Sequence, residues 1–292
     1  MEDTHEAVVR IGVVGSGTMA VGIAEVAARC GVEVVLRSRS PHGAEVALAR
    51  IGARLDREVA RGSLGDEEAG EIRARINPTA ALEDLAGCEV VIESIVEALE
   101  PKRVLFAQLG AMLGPEVVLA TNTSTLSVGQ LAQVSEHPER VVGLHFFNPV
   151  PRMALVEVVQ PLEAADWAVE RARTLARRLG KEPVTVADEP GFIVNALLFP
   201  SINQAVRLVE RGVASIEDVD RAMVLGANHP MGPLALADLV GLDVTVAILE
   251  QLWHATGDPA LVPASTLRRM VAAGRLGRKS GRGFYRYEAA QP

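Results

Sequence analysis

Only two cysteines, Cys30 and Cys88, occur in 292 residues. So low a count excludes a disulfide framework and a cysteine-based metal site, and two thiols in or beside apolar runs suit a reducing compartment. Net positive charge is also missing, because 37 acidic against 29 basic residues leave the chain at −8. Nothing in that balance attracts nucleic acid, so the expected partner is a small molecule. No stretch of about 18 apolar residues runs free of charge, so no membrane-spanning helix is expected. The start, Met1-Glu-Asp-Thr-His-Glu6, is short and acidic, the opposite of a signal peptide, and a cytoplasmic setting follows. Internal repeats and low-complexity segments are lacking too.

What remains is a globular composition, 49% hydrophobic and 23% charged, long enough for one large or two ordinary domains. The β-branched run Val8 to Val14 leads into Gly15-Ser-Gly-Thr-Met-Ala20 and then a helical pattern from Val21 to Arg29. Strand, glycine turn and helix in that order make G-x-G-x-x-A a dinucleotide-binding signal. Gly15 permits the tight turn, and Gly17 lets the backbone approach a pyrophosphate at the helix N-terminus, with Thr18 and Met19 beside it. A second strand, Val32 to Leu36, ends in Arg37-Ser-Arg-Ser40, where a ribose-reading carboxylate would mark NAD. No carboxylate is present. Arg37 and Arg39, with the Ser38 and Ser40 hydroxyls, suit a 2′-phosphate, and NADP(H) is predicted, with NAD the alternative.

Residues 43 to 75 interrupt the β-α alternation with two helical patterns joined at Arg61-Gly-Ser-Leu-Gly65. Arg50, Arg54, Arg57 and Arg61 recur at helical spacing on the first. They can grip the phosphates of a large substrate or form an ordinary solvated face. Strands are expected at Glu89 to Ser94 and Val117 to Ala120, with a helix starting near Pro101. The loop Thr121-Asn-Thr-Ser-Thr125 follows a strand end, where ligand crevices form, although Ser and Thr are also common helix caps.

Two further strands, Arg140 to Leu144 and Leu155 to Val159, are joined by a stretch that carries His145 and Asn148, with Glu157 twelve residues after the histidine. Alone, a buried histidine is more often a satisfied core residue than a catalyst. A helix from Asp166 to Leu179 and a strand from Pro183 to Val186 complete the β-rich part. From Phe192 the pattern is helical: Phe192 to Arg211, Ile216 to Leu225, Leu234 to Trp253 and Ser265 to Ala273. The first of these is apolar over much of its circumference, which suggests a subunit interface as well as an internal one.

Gly15-Ser-Gly-Thr-Met, Glu97 with Lys102, Thr121-Asn-Thr-Ser124, His145-Phe-Phe-Asn-Pro149, Leu155-Val-Glu157, Pro190-Gly-Phe-Ile-Val-Asn195, Asn228-His-Pro-Met-Gly-Pro233 and Gly281-Arg-Gly-Phe-Tyr285 stand in order along nearly the whole chain. In this the sequence resembles the 3-hydroxyacyl-CoA dehydrogenase family, particularly its short monofunctional 3-hydroxybutyryl-CoA members. The resemblance implies that His145 is the catalytic acid/base, that Glu157 orients it, and that Ser124 and Asn195 bind near the reacting oxygen. It places Glu97, Lys102 and Asn148 at the nicotinamide end. Asn122, in the Thr121–Ser124 motif, is taken with them as cofactor-binding. Three positions depart from the family pattern: Ser38 in place of an acid, Ala154 in place of a common lysine, and Ala196 in place of a common arginine.

The expected fold is therefore α/β, a Rossmann-type doubly wound sheet with a helical hairpin insertion over residues 1–188, followed by an all-α substrate and dimerisation domain over 189–292. The expected activity is NADP(H)-dependent oxidation and reduction of an acyl-CoA thioester, with Arg54 and Arg61 near the CoA phosphates, in a homodimer without metal, membrane or nucleic acid. Two alternatives stand beside it: a dehydrogenase for carrier-protein thioesters, and a non-catalytic crystallin-like protein.

Overall fold

Strand β1 (Arg10–Val14) is buried from its second residue to its end, as a strand covered on both faces must be. In the computed structural model, which describes residues 9–287, it is followed by α1 (Thr18–Arg29) and β2 (Glu33–Arg37). Val8 and the N-terminal hexapeptide lie outside the described residues. The hairpin is present as α2 (Pro41–Ala60) and α3 (Asp66–Ala74), with the Ser40 hydroxyl capping α2 by accepting from Gly43 N. A strand not expected from the pattern, β3 (Ile76–Thr79), follows. It contains Pro78, which hides it from a propensity reading, and its place at the sheet edge is where proline is tolerated.

The chain continues through β4 (Val90–Glu93), α4 (Leu99–Met112), β5 (Val118–Thr121), α5 (Val128–Ala132), β6 (Val141–Phe146), β7 (Leu155–Gln160), α6 (Asp166–Arg178) and β8 (Glu182–Ala187). The sheet order is β3-β2-β1-β4-β5-β6-β7-β8. The first six of these strands run parallel; β7 is antiparallel to β6 and parallel to β8. Strand order reverses between β1 and β4, and in open α/β sheets ligands bind outside the carboxyl ends of the strands at that point.

β6 extends two residues beyond its expected end, so His145 sits in a strand and not in the connecting stretch. Side chains alternate across a strand. Leu144, Phe146, Val156 and Val158 join the main core, which leaves His145 and Glu157 on the other face.

Compact units divide at Glu189/Pro190. The second holds α7 (Val194–Glu210), α8 (Ile216–Ala227), α9 (Pro233–Val240), α10 (Leu242–Thr256) and α11 (Ser265–Ala272) around a core of its own. Helix α7 starts two residues later than expected because Gly191 and Phe192 have φ of +79° and +52°, outside the right-handed helical range. The single helix expected over 234–253 is two. Gly241, at φ +108°, ends α9 and starts α10, a conformation that L side chains rarely adopt. Among the described residues no helix is long and apolar enough to cross a membrane.

Candidate active site

At the carboxyl end of β1 the chain turns through Gly15, whose φ is +144°. A Cβ there would lie 2.2 Å from the Ser94 carbonyl oxygen, so only glycine fits. Gly17 precedes α1, no side chain caps the helix, and its first turn holds no acidic residue. A Cβ on Gly17 would meet nothing within 4 Å, so the backbone is open to a ligand there. Gly15, Ser16, Gly17, Arg37, Ser38, Arg39, Ser94 and Ile95 line a cavity of about 750 Å³. Its size is that of a ligand pocket, and the helix dipole with its first-turn N–H groups suits a pyrophosphate.

The Ser38 hydroxyl donates to Ser16 Oγ at 3.3 Å, and Arg37 Nε donates to the Ala80 carbonyl at 3.2 Å. Burial, with Arg39 adding to it, lowers the Arg37 pKa from its ordinary value. Arg37 and Arg39 thus place two cations beside the same cavity. Met19 packs against the main core.

The wall of this crevice beyond β4 is built on charge. Lys102 Nζ faces Glu93 Oε1 at 2.7 Å, Glu93 Oε2 at 2.9 Å and Glu97 Oε2 at 3.1 Å. Three acceptors match the three ammonium protons, and Lys102 is only 1% exposed, so it is a counter-ion within the wall. Glu97 Oε1 accepts from Thr123 Oγ1 at 2.6 Å and from Ser124 N at 2.9 Å. Burial alone would raise the Glu97 pKa, but the Lys102 ammonium and these hydrogen bonds hold it below the ordinary carboxylate value. Asn122 ties strand ends together. Its Oδ1 accepts from Phe146 N at 2.9 Å, and its Nδ2 donates to Ser94 Oγ at 3.4 Å.

His145 and Glu157 are register partners across β6 and β7, with Nδ1 2.7 Å from Glu157 Oε2. Glu157 is fully buried and His145 is 5% exposed. An ionised carboxylate only accepts, so this contact assigns the proton to Nδ1 and leaves Nε2 as the basic nitrogen. Phe147 stands against the imidazole, with ring centroids 4.4 Å apart.

The arginines of α2 divide. Arg54 NH1 turns inward to Glu25 Oε2 at 3.0 Å, and Arg29 binds the same buried carboxylate. Arg50 donates to the Ser16 carbonyl and to Thr18 Oγ1, at 3.2 and 3.3 Å. Arg57 and Arg61 remain at the surface, where with Arg54, Arg152, Thr18 and Asn148 they line a second cavity of about 380 Å³. Arg54 neutralises an internal acid, and Arg57 and Arg61 form an open basic rim.

Asn195 lies in the first turn of α7, in the second unit, and is 6% exposed. The sequence reading missed Glu93 and Glu25. A carboxylate ending an otherwise apolar strand, as in Val90-Val-Ile-Glu93, was the available signal for Glu93. Glu25, alone among apolar residues of α1, was the signal for an internal ion pair.

A mostly parallel sheet with a glycine turn at its switch point, a buried histidine–carboxylate pair and a separate helical unit define a dinucleotide-binding α/β protein of two units. Residues 10–189 match the family model for the "3-hydroxyacyl-CoA dehydrogenase, NAD binding domain", and residues 191–287 match that for the "3-hydroxyacyl-CoA dehydrogenase, C-terminal domain". The chain belongs to the 3-hydroxyacyl-CoA dehydrogenase family, and its cofactor is accordingly a nicotinamide dinucleotide. It is 42% identical over 283 residues to a 3-hydroxybutyryl-CoA dehydrogenase of Bradyrhizobium diazoefficiens, covering 97% of each chain. A 3-hydroxybutyryl-CoA dehydrogenase of Mycobacterium tuberculosis is 44% identical over 284 residues, 97% of this chain and 99% of that one. The crystal structure of (S)-3-hydroxybutyryl-CoA dehydrogenase from Ralstonia eutropha superposes with a TM-score of 0.92 at 41% identity, covering 97% and 100% of the two chains.

Proposed function

We propose that this chain is an NADP(H)-dependent (S)-3-hydroxyacyl-CoA dehydrogenase that interconverts 3-hydroxybutyryl-CoA and acetoacetyl-CoA. The observation that carries this reading is the 2.7 Å contact between His145 Nδ1 and Glu157 Oε2 in a buried site. The substrate class comes from the names of the relatives described above.

When bound, the nicotinamide supplies the hydride acceptor or donor. His145 Nε2 takes the hydroxyl proton as the alcohol becomes a ketone, and returns it in the reducing direction. Glu157 holds the imidazole in the required tautomer and stabilises the imidazolium that forms, a division of labour known from histidine–carboxylate pairs in hydrolases. Ser124 and Asn195, as neutral donors, stabilise negative charge developing on the reacting oxygen. Glu97 and Lys102 support the loop at the nicotinamide end, and Asn122 holds the strand ends beside it.

NADP(H) is favoured by Arg37 and Arg39 beside a cavity from which the ribose-reading carboxylate is missing. Arg57 and Arg61, with Arg54 behind them, suit the phosphates of a CoA thioester. The helical unit is assigned to self-association, because Leu197 and Leu225 expose 70% and 72% of their surface there. The setting is cytoplasmic.

Steady-state turnover of acetoacetyl-CoA with NADPH and with NADH tests the assignment, with the matching carrier-protein thioester run alongside. Faster turnover of the carrier-bound substrate transfers the reading to that substrate class. No turnover of either thioester overturns it.

A further inference from the structure

Glu93 ends β4 in the row Val14–Glu93–Thr121 that crosses β1, β4 and β5, beside the point where strand order reverses. It is fully buried. Every group that touches its carboxylate is a donor: Lys102 Nζ on both oxygens, Ile95 N at 2.7 Å on Oε1, and Thr121 Oγ1 at 2.7 Å on Oε2. Such a site favours a carboxylate over an amide, whose NH₂ would meet the donor-only Lys102 ammonium in either orientation. Thr121 Oγ1 in turn accepts from Thr123 N at 3.2 Å.

The loop after β5 is therefore hooked at two points. Glu93 holds Thr123 N through the Thr121 hydroxyl, and Glu97 holds Thr123 Oγ1 and Ser124 N directly. Lys102 joins the two carboxylates. Two anions and one cation hold the segment that carries Ser124, and the deeper anion is Glu93.

We infer that Glu93 is a positioning residue for the reaction, setting the Ser124 hydroxyl through Thr121 on one side and through Lys102 and Glu97 on the other. The inference rests on Ser124 being a donor to the reacting oxygen, as proposed above. Glu93 itself meets neither substrate nor cofactor. Its effect is geometric, and small displacements of such donors are costly in rate.

A double-mutant cycle on kcat tests it, using Glu93→Gln, Thr121→Val and Ser124→Ala in the full chain, with thermal melting of each variant. Glu93→Gln and Thr121→Val are each expected to lower kcat by about 10- to 100-fold. Introduced into Ser124→Ala, each should lower it by less than about twofold more, within the scatter of independent effects. Thr121→Ser, which restores the hydroxyl, should recover most of what Thr121→Val loses. Should Glu93→Gln not fold, Thr121→Val carries the same test by the milder loss of one hydroxyl.

Equal fold-losses with and without Ser124 would overturn the inference and make Glu93 a stabiliser of the sheet only. A folded Glu93→Gln with unchanged kcat overturns it as well. An inert Ser124→Ala is a different failure, because it removes the reading of Ser124 on which the inference stands.

Discussion

Glu157 stands directly opposite His145 in the antiparallel pairing of β6 with β7, and the imidazole Nδ1 lies 2.7 Å from its carboxylate. Cross-strand partners share a face, so the contact follows from register and needs no loop to bring it about. The histidine–carboxylate pair is thereby carried by two neighbouring strands.

His145→Gln keeps the side chain polar but removes the titratable nitrogen. We expect kcat to fall by about 10² or more, the scale of lost general acid–base catalysis, with the Kd for NADPH nearly unchanged. Fluorescence titration with NADPH alongside steady-state rates separates the two effects. An equal loss of cofactor binding would make His145 a packing residue.

For the cofactor, wild-type kcat/KM should favour NADPH over NADH. Arg37→Ala and Arg39→Ala should each weaken NADPH use by about 1.5–3 kcal/mol, the worth of a hydrogen bond to a charged group, and leave NADH use nearly untouched. Ser38→Asp should move the preference toward NADH by restoring a carboxylate that repels a 2′-phosphate. A wild-type preference for NADH sinks the assignment.

Acid stability should depend on Glu97. Its folded-state pKa lies below the ordinary value of 4.5, held there against burial by Lys102 and the Thr123 and Ser124 hydrogen bonds. A depressed carboxylate contributes stability that is fully present above the unfolded pKa and is lost as pH falls through the folded one. Denaturant unfolding of wild type and Glu97→Gln across pH 3 to 7 should therefore show a difference that is largest above the ordinary carboxylate value of 4.5 and shrinks in acid. A pH-independent difference would mean that Glu97 does not titrate in this range.

Self-association should depend on the apolar surface of the helical unit. Leu197→Glu and Leu225→Glu put charge on side chains that are already 70% and 72% exposed, so folding should survive. Sedimentation velocity should show a dimer for wild type and a shift toward monomer for at least one variant. A monomeric wild type removes the interface altogether.

Much of the fold was legible from local pattern. The glycine turn, the hairpin insertion and the helices of the second unit follow from spacing and composition, and most boundaries fall within a few residues of expectation. The misses share a cause. β3 carries a proline tolerated only because the strand lies at the sheet edge, and the break at Gly241 looks from spacing like one continuous apolar helix. Neither edge position nor backbone sign at a glycine is encoded in periodicity. In the site, residue types were legible but their partners were not: Arg54 turns to Glu25, and Lys102 is closed off by Glu93 and Glu97.

By itself, the sequence determined the dinucleotide turn, the absence of a ribose-reading carboxylate after β2, and the presence of His145 and Glu157 twelve residues apart. Only the tertiary structure decided that those twelve residues close into one antiparallel pairing, that Glu93 and Lys102 lie in the dark of the sheet, and which arginines of α2 stay open to solvent. Turn chemistry and side-chain identity are local properties. Strand register and desolvation arise only when distant segments pack, and they settle what each charged group can reach.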